Sequence, residues 1–122
     1  LQPTSPFRQP SHVNEANESF EKQKCDVVVS VVKSKANPYL TLYKQSNDFI
    51  KKFKKSNFYR RQDAPNMWEL NGSIFLFDIN SLKKGYMQNF KKIIKYEMNK
   101  IHSIDIDDEF DWNLAELNVK HY

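Results

Sequence analysis

Residues 26–33, "DVVVSVVK", set five valines around one serine. A nearly continuous β-branched run of this length predicts a strand covered on both faces, as in a parallel or mixed sheet. Upstream, Val13, Ala16 and Phe20 recur at helical spacing, which predicts an amphipathic helix over 12–23 with Ser11 as its N-cap. Residues 1–10, "LQPTSPFRQP", hold three prolines and read as the end of a strand running into a loop. Strand, loop, helix, strand is a βαβ crossover, so the expected class is α/β.

The pattern loosens over 34–62, where "ANPY" predicts a turn and "SNDFIKKFKKSNFYRR" a short helix with Phe49, Ile50 and Phe53 on one face. "NGSIFLFDI" (71–79) reads as a strand opened by a tight Asn-Gly turn, and "NFKKIIKYEM" (89–98) suits helix or strand equally. From Asp107 onward a last helix is expected, capped by Asp107 or Asp108, with Phe110, Leu114 and Leu117 as its apolar stripe. No repeat or low-complexity segment interrupts this series.

Composition narrows the classes. At 122 residues and 39 % apolar, with nine Phe, six Tyr and two Trp, the chain suits one folded domain. No run of 18 apolar residues or signal-peptide pattern is present, so no membrane association is expected. The single Cys25 lacks zinc-site spacing, reads as a structural thiol and fits a reducing cytoplasm.

The net charge of +4 is unevenly placed. Residues 44–61 hold Lys44, Lys51, Lys52, Lys54, Lys55, Arg60 and Arg61 against Asp48, whereas the last 22 residues hold six acids against Lys120. Such asymmetry fits nucleic acid or an anionic small substrate. The basic run is interleaved with Phe49, Phe53, Phe58 and Tyr59, a pattern that can stack single strands. No nucleic-acid motif accompanies it, and the acidic tail opposes it, so no nucleic-acid partner is expected. With only Gly72 and Gly85, the chain has no Gly-rich loop to cradle a triphosphate.

The acidic end carries the clearest chemistry. In "HSIDIDDEFDW" (102–112), Asp105 and Asp107 flank one isoleucine. On an extended segment that spacing points both carboxylates to one side, where a divalent cation would relieve their repulsion. Helix capping accounts for Asp108, Glu109 and Asp111, but not for Asp105, which lies outside the helix.

"LQPTSPFR", "RRQDAPNMWELNGSIFLF" and "HSIDIDDEFDWNLAE", in that order, resemble the second half of the acylneuraminate cytidylyltransferase (CMP-sialic acid synthetase) family. The resemblance covers almost the whole chain. It implies the C-terminal part of a three-layer nucleotide-diphospho-sugar transferase-like fold with a mixed sheet. Residues 1–122 would then be a single domain piece without the N-terminal CTP-binding half, and inactive alone.

The implied reaction joins CTP and a nonulosonic acid to give a CMP-sugar and pyrophosphate, in a cytoplasmic, Mg²⁺-dependent homodimer. The resemblance makes Asp105 and Asp107 the metal ligands, and counts both, with Arg61, as catalytic. It points Gln2 at the sugar acid, with Thr4 and Ser5 in the same loop, and assigns Arg61, Asn71 and Gly72 to substrate. Arg60 beside Arg61 is read as solvated. Phe75 stands where the family often has tyrosine, so stacking replaces a hydroxyl contact. Tyr86 or Phe90 would take the place of aromatic residues that reach a neighbouring subunit. The alternatives are a turn shaped by Pro3 and Pro6 around Gln2, a strand-entry turn at Asn71–Gly72, and a non-catalytic remnant or dimerisation module of the same fold.

Overall fold

The structure, a computed structural model, describes residues 1–44, 49–58 and 60–120. They group into two compact units, Lys33–Glu69 and the residues on either side of it.

The flanking residues build an α/β unit. Helix α1 is Pro10–Lys22 and strand β1 is Val27–Lys33. Residues 1–9 form turns rather than the expected strand end, because Pro3 and Pro6 remove ladder donors. The N-cap of α1 is Gln9 and not Ser11: Pro10 takes the first helical position, and His12 Nδ1 accepts from the Gln9 N–H at 3.1 Å.

Three strands form the sheet, and β1 is its centre. The strand Ile93–Glu97 resolves the ambiguous 89–98 segment and pairs parallel to β1, from Val27 opposite Ile93 to Val31 opposite Glu97. On the other edge lies Trp68–Phe77, which begins three residues before the expected strand and places Asn71–Gly72 inside it instead of at its opening turn. Its far end meets the start of β1, where the Asp78 N–H donates to the Asp26 carbonyl at 2.9 Å. The sheet is therefore mixed.

Both faces of β1 are covered, as the valine run predicts. Val28 packs with Ala16, Cys25, Ile74 and Met98 under Val13 and Phe20 of α1. Val27, Val29 and Val31 pack with Phe75, Phe77, Met87 and Phe90. The Cys25 thiol is buried, and burial pushes its pKa up, away from the reactive thiolate.

Asp78 ends the long strand by capping the short helix Ile79–Lys84, its Oδ1 accepting from the Ser81 N–H at 2.8 Å. Nearby, Asp26 accepts from Ser81 Oγ at 2.6 Å and from the backbone N–H groups of Lys91 and Lys92 at 3.1 and 2.9 Å. These bonds, the Ser81 hydroxyl first, hold its carboxyl below the usual aspartate range. A depressed carboxyl contributes stability above its unfolded pKa, and that contribution is lost as pH falls through the folded one. Asp26→Asn should therefore lower the melting midpoint at neutral pH, with the gap to wild type closing in acid. Thermal melts of both proteins at neutral and acid pH measure this, and a gap that persists in acid would remove the carboxylate's role.

The last helix is Glu109–Val119, capped by Asp108, whose Oδ1 accepts from the Asp111 N–H at 2.9 Å. Of the two expected caps, Asp108 serves and Asp107 precedes it. The expected apolar stripe does not enter a core: Phe110 is 74 % and Leu117 62 % exposed, and the helix buries only Ala115.

The Lys33–Glu69 unit contains an antiparallel hairpin, Leu42–Lys44 with Ile50–Lys52. The helix expected over 46–61 is thus a strand at Ile50–Lys52, since pairing with Leu42–Lys44 and an edge-to-face contact of Tyr43 with Phe53 outweigh the local pattern. Residues 45–48 and Tyr59, which hold Asp48 and part of that expected helix, lie outside the described residues. Lys54 sits over the Tyr39 ring at 4.6 Å. Among the described residues no helix is long and apolar enough to cross a membrane.

Candidate functional site

At Gly72, inside the strand Trp68–Phe77, three predicted residues converge. Gly72 has φ +71, a left-handed conformation that other residues adopt at a cost. A Cβ added there would lie 2.6 Å from Gln2 Oε1 and 3.2 Å from Asp105 Oδ2. Gln2, Gly72 and Asp105 thus line one small cradle with glycine as its floor, where a side chain would enter only if the Gln2 amide moved aside.

Backbone bonds bring the loops together. Arg8 Nη1 donates to the Gln2 and Ser73 carbonyls at 2.9 and 3.0 Å, tying the Pro-rich loop to the long strand. The Ile106 N–H donates to the Thr4 carbonyl at 3.0 Å, tying that loop to the segment carrying Asp105. Thr4 is therefore fixed through its backbone. Arg8 was missed by sequence reasoning, although it stands within "LQPTSPFR"; its partners lie too far along the chain for spacing to reveal them.

Among the described residues of this unit, the buried side-chain atoms Asp105 Oδ1, Ser5 Oγ and Ser73 Oγ have no hydrogen-bond partner. Buried carboxylate oxygens are costly unless something compensates them. Asp107 lies exposed two residues on, with its N–H donating to Asp111 Oδ2 at 3.1 Å. Among the described residues, no three His, Cys, Asp or Glu side chains gather into a metal cluster. Two carboxylates suit Mg²⁺, which takes hard oxygen ligands and completes its shell with waters and substrate phosphates.

The remaining predicted residues are placed differently. Asn71 is buried, and its amide is engaged by Ser30, Ser73, Ser103 and Met98. Phe75 packs into the Val27–Val31 cluster and stacks with Phe77, centroids 6.1 Å apart. Arg61 lies in the other unit, on the 3-10 turn Arg61–Asp63, donating to the Lys35 carbonyl at 3.0 Å. Arg60, expected to be solvated, is exposed and pairs with Asp63 at 3.1 Å. His12 and His102 bring their rings within 4.5 Å, next to the turn that leads to Asp105. Burial first, then His102, hold the His12 imidazole below its ordinary pKa, in keeping with an Nδ1 that accepts a hydrogen bond.

A mixed sheet flanked by helices, with a carboxylate and an amide side chain meeting over a glycine of one edge strand, makes this unit an α/β domain. No family profile matches the chain. Individual proteins do. It is 27 % identical over 98 % of its length to the post-translational flagellin modification protein B of Campylobacter coli. Over 75 % of its length it is 29 % identical to the CMP-N,N'-diacetyllegionaminic acid synthase of Campylobacter jejuni. Over its whole length it is 32 % identical to the N-acylneuraminate cytidylyltransferase B of Danio rerio. The chain is thus similar to several cytidylyltransferases acting on sialic-acid-type sugars, and the similarity maps to the C-terminal half of those proteins. It spans about half the length of the first of these relatives, 51 %, and 39 % and 29 % of the other two.

Proposed function

We propose that this chain supplies the metal-binding and sugar-acid residues of a cytidylyltransferase that joins CTP to a nonulosonic acid, releasing pyrophosphate. The observation that carries the proposal is the cradle of Gln2, Gly72 and Asp105, beside a buried Asp105 Oδ1 that lacks a partner. Asp105 and Asp107 are the residues that would hold Mg²⁺. Bound there, the ion would supply charge neutralisation for the transfer, in which the sugar's anomeric hydroxyl attacks the α-phosphate of CTP and pyrophosphate leaves. The Gln2 amide donates to and accepts from the sugar acid and so orients the attacking hydroxyl. Arg61 offers a planar guanidinium suited to a carboxylate or phosphate. Thr4 and Ser5 add hydroxyl donors to the Gln2 loop, and Gly72 lets the ligand approach the backbone. The working enzyme is a cytoplasmic homodimer.

Pyrophosphate release by the full-length protein with CTP, Mg²⁺ and a nonulosonic acid tests the activity. Gln2→Ala should raise the KM for the sugar acid by about tenfold or more, the scale expected when a polar contact to substrate is lost, with little change in the KM for CTP. A loss confined to CTP would reverse the assignment of the pocket.

A further inference from the structure

Ser30 is the one polar residue in the valine run of β1, and it is wholly buried. A buried hydroxyl needs partners, and this one has three. It accepts from the Ile74 N–H at 2.7 Å, lies 3.2 Å from the Ile74 carbonyl, and donates to Asn71 Oδ1 at 2.5 Å. The Asn71 Oδ1 also accepts from the Ser73 N–H at 3.2 Å. Because a backbone N–H can only donate, this contact fixes which end of the amide is oxygen. The Nδ2 end therefore donates to Ser103 Oγ at 2.9 Å. Ser103 Oγ in turn donates to the Asn99 carbonyl at 2.7 Å.

The chain of bonds thus runs from the middle of β1, through the residue preceding Gly72, to the turn that ends two residues before Asp105. Past Asp105, the Ile106 N–H is held by the Thr4 carbonyl. Asp105 is pinned on both sides, and Gly72 is pinned from below by the same amide.

We propose that Ser30 and Ser103, acting through the Asn71 amide, are positioning residues that set the separation of Gly72 and Asp105 and so bring the metal-binding carboxylate to the sugar-acid cradle. This rests on the cytidylyltransferase reading, but the positioning itself can be read without activity. Neither serine touches substrate; each acts through a neighbour, and a misplacement of about 1 Å can cost on the order of 100-fold in rate.

The test compares matched variants in the full-length protein. Ser30→Val and Ser30→Thr have the same shape, and only Thr keeps the hydroxyl. Ser103→Ala, on a turn, guards against a β1 variant that fails to fold. Ser30→Val and Ser103→Ala should each lower kcat by about 10- to 100-fold and raise the Mg²⁺ concentration for half-activation, leaving the KM for CTP within about twofold. Ser30→Thr should recover most of the loss. Independently of turnover, amide hydrogen exchange at Gly72 and Ile106 should quicken in Ser103→Ala. Should the wild type show no turnover, the cytidylyltransferase reading fails, while quickened exchange would still support the positioning chain. Unchanged exchange in Ser103→Ala would overturn the proposal. So would a Thr variant as impaired as Val, or a lower melting midpoint with unchanged kinetic constants.

Discussion

Asp105→Asn and Asp107→Asn should each cut Mg²⁺-dependent CMP-sugar formation in the full-length protein by about 100-fold or more, since even outer-shell changes at metal sites cost about 10- to 100-fold. The physical case is strongest for Asp105. Its Oδ1 is buried without a partner, a position that a carboxylate tolerates when a cation compensates it. Asparagine keeps the shape, removes the charge and turns one of the two oxygens into a donor that repels a cation. The neighbouring acids provide the controls. Asp108 caps the last helix, and asparagine caps about as well. Asp111 accepts from the Asp107 N–H and sits in the first helical turn, where a lost charge costs about 0.3–1 kcal/mol of stability, while asparagine keeps an oxygen that can accept the same N–H. Asp108→Asn and Asp111→Asn should therefore stay within a few-fold of wild type. Mg²⁺ titrations of the four variants decide the matter: if all four behave alike, the acids serve the helix and the metal assignment is lost.

The same segment shows how far local pattern reaches. Helix capping and metal binding both call for acidic residues, and the sequence separates them by position, because Asp105 stands before the helix begins. What pattern could not show is that the Asp105 loop is tied to Thr4 across the fold. The valine run of β1 and the Val13, Ala16, Phe20 face of α1 were legible for a simple reason: periodicity reports which side of an element is apolar, and here both elements find partners. On the last helix the same rule identifies an apolar stripe, but periodicity does not say what covers it, and Phe110 and Leu117 stand open. The segment 46–61 misled because apolar residues three and four apart fit a helix face, while the pairing that makes Ile50–Lys52 a strand comes from residues six to ten positions away. Asn-Gly is a strong turn signal, yet here its glycine supplies a left-handed residue within a strand. One cue was available and unread. A lone serine among buried valines requires hydrogen-bond partners, and those partners run through Asn71 to the Asp105 loop.

Gly72→Ala should damage the site from its floor. The change has two separable costs. A left-handed backbone costs a non-glycine residue about 1–2 kcal/mol, and the new Cβ would stand 2.6 Å from Gln2 Oε1, closer than carbon and oxygen can sit. Gln2 or the strand must move, and Asp105 Oδ2, 3.2 Å from the same point, limits the space for moving. The expected result is a lower melting midpoint together with at least a tenfold rise in the KM for the sugar acid, the scale on which a displaced polar contact acts. Two further variants divide the costs. Gly72→Asn keeps the Cβ but tolerates the left-handed region better, so it should recover stability without recovering sugar use. Gln2→Ala in the Gly72→Ala background removes the collision but also the amide that orients the sugar. The double variant should therefore be more stable than Gly72→Ala and no better with the sugar acid than Gln2→Ala alone. That is a non-additive pair, as expected for two residues in one contact. Strict additivity in both stability and KM would mean that Gln2 and Gly72 do not share a site, and the cradle would have to be given up.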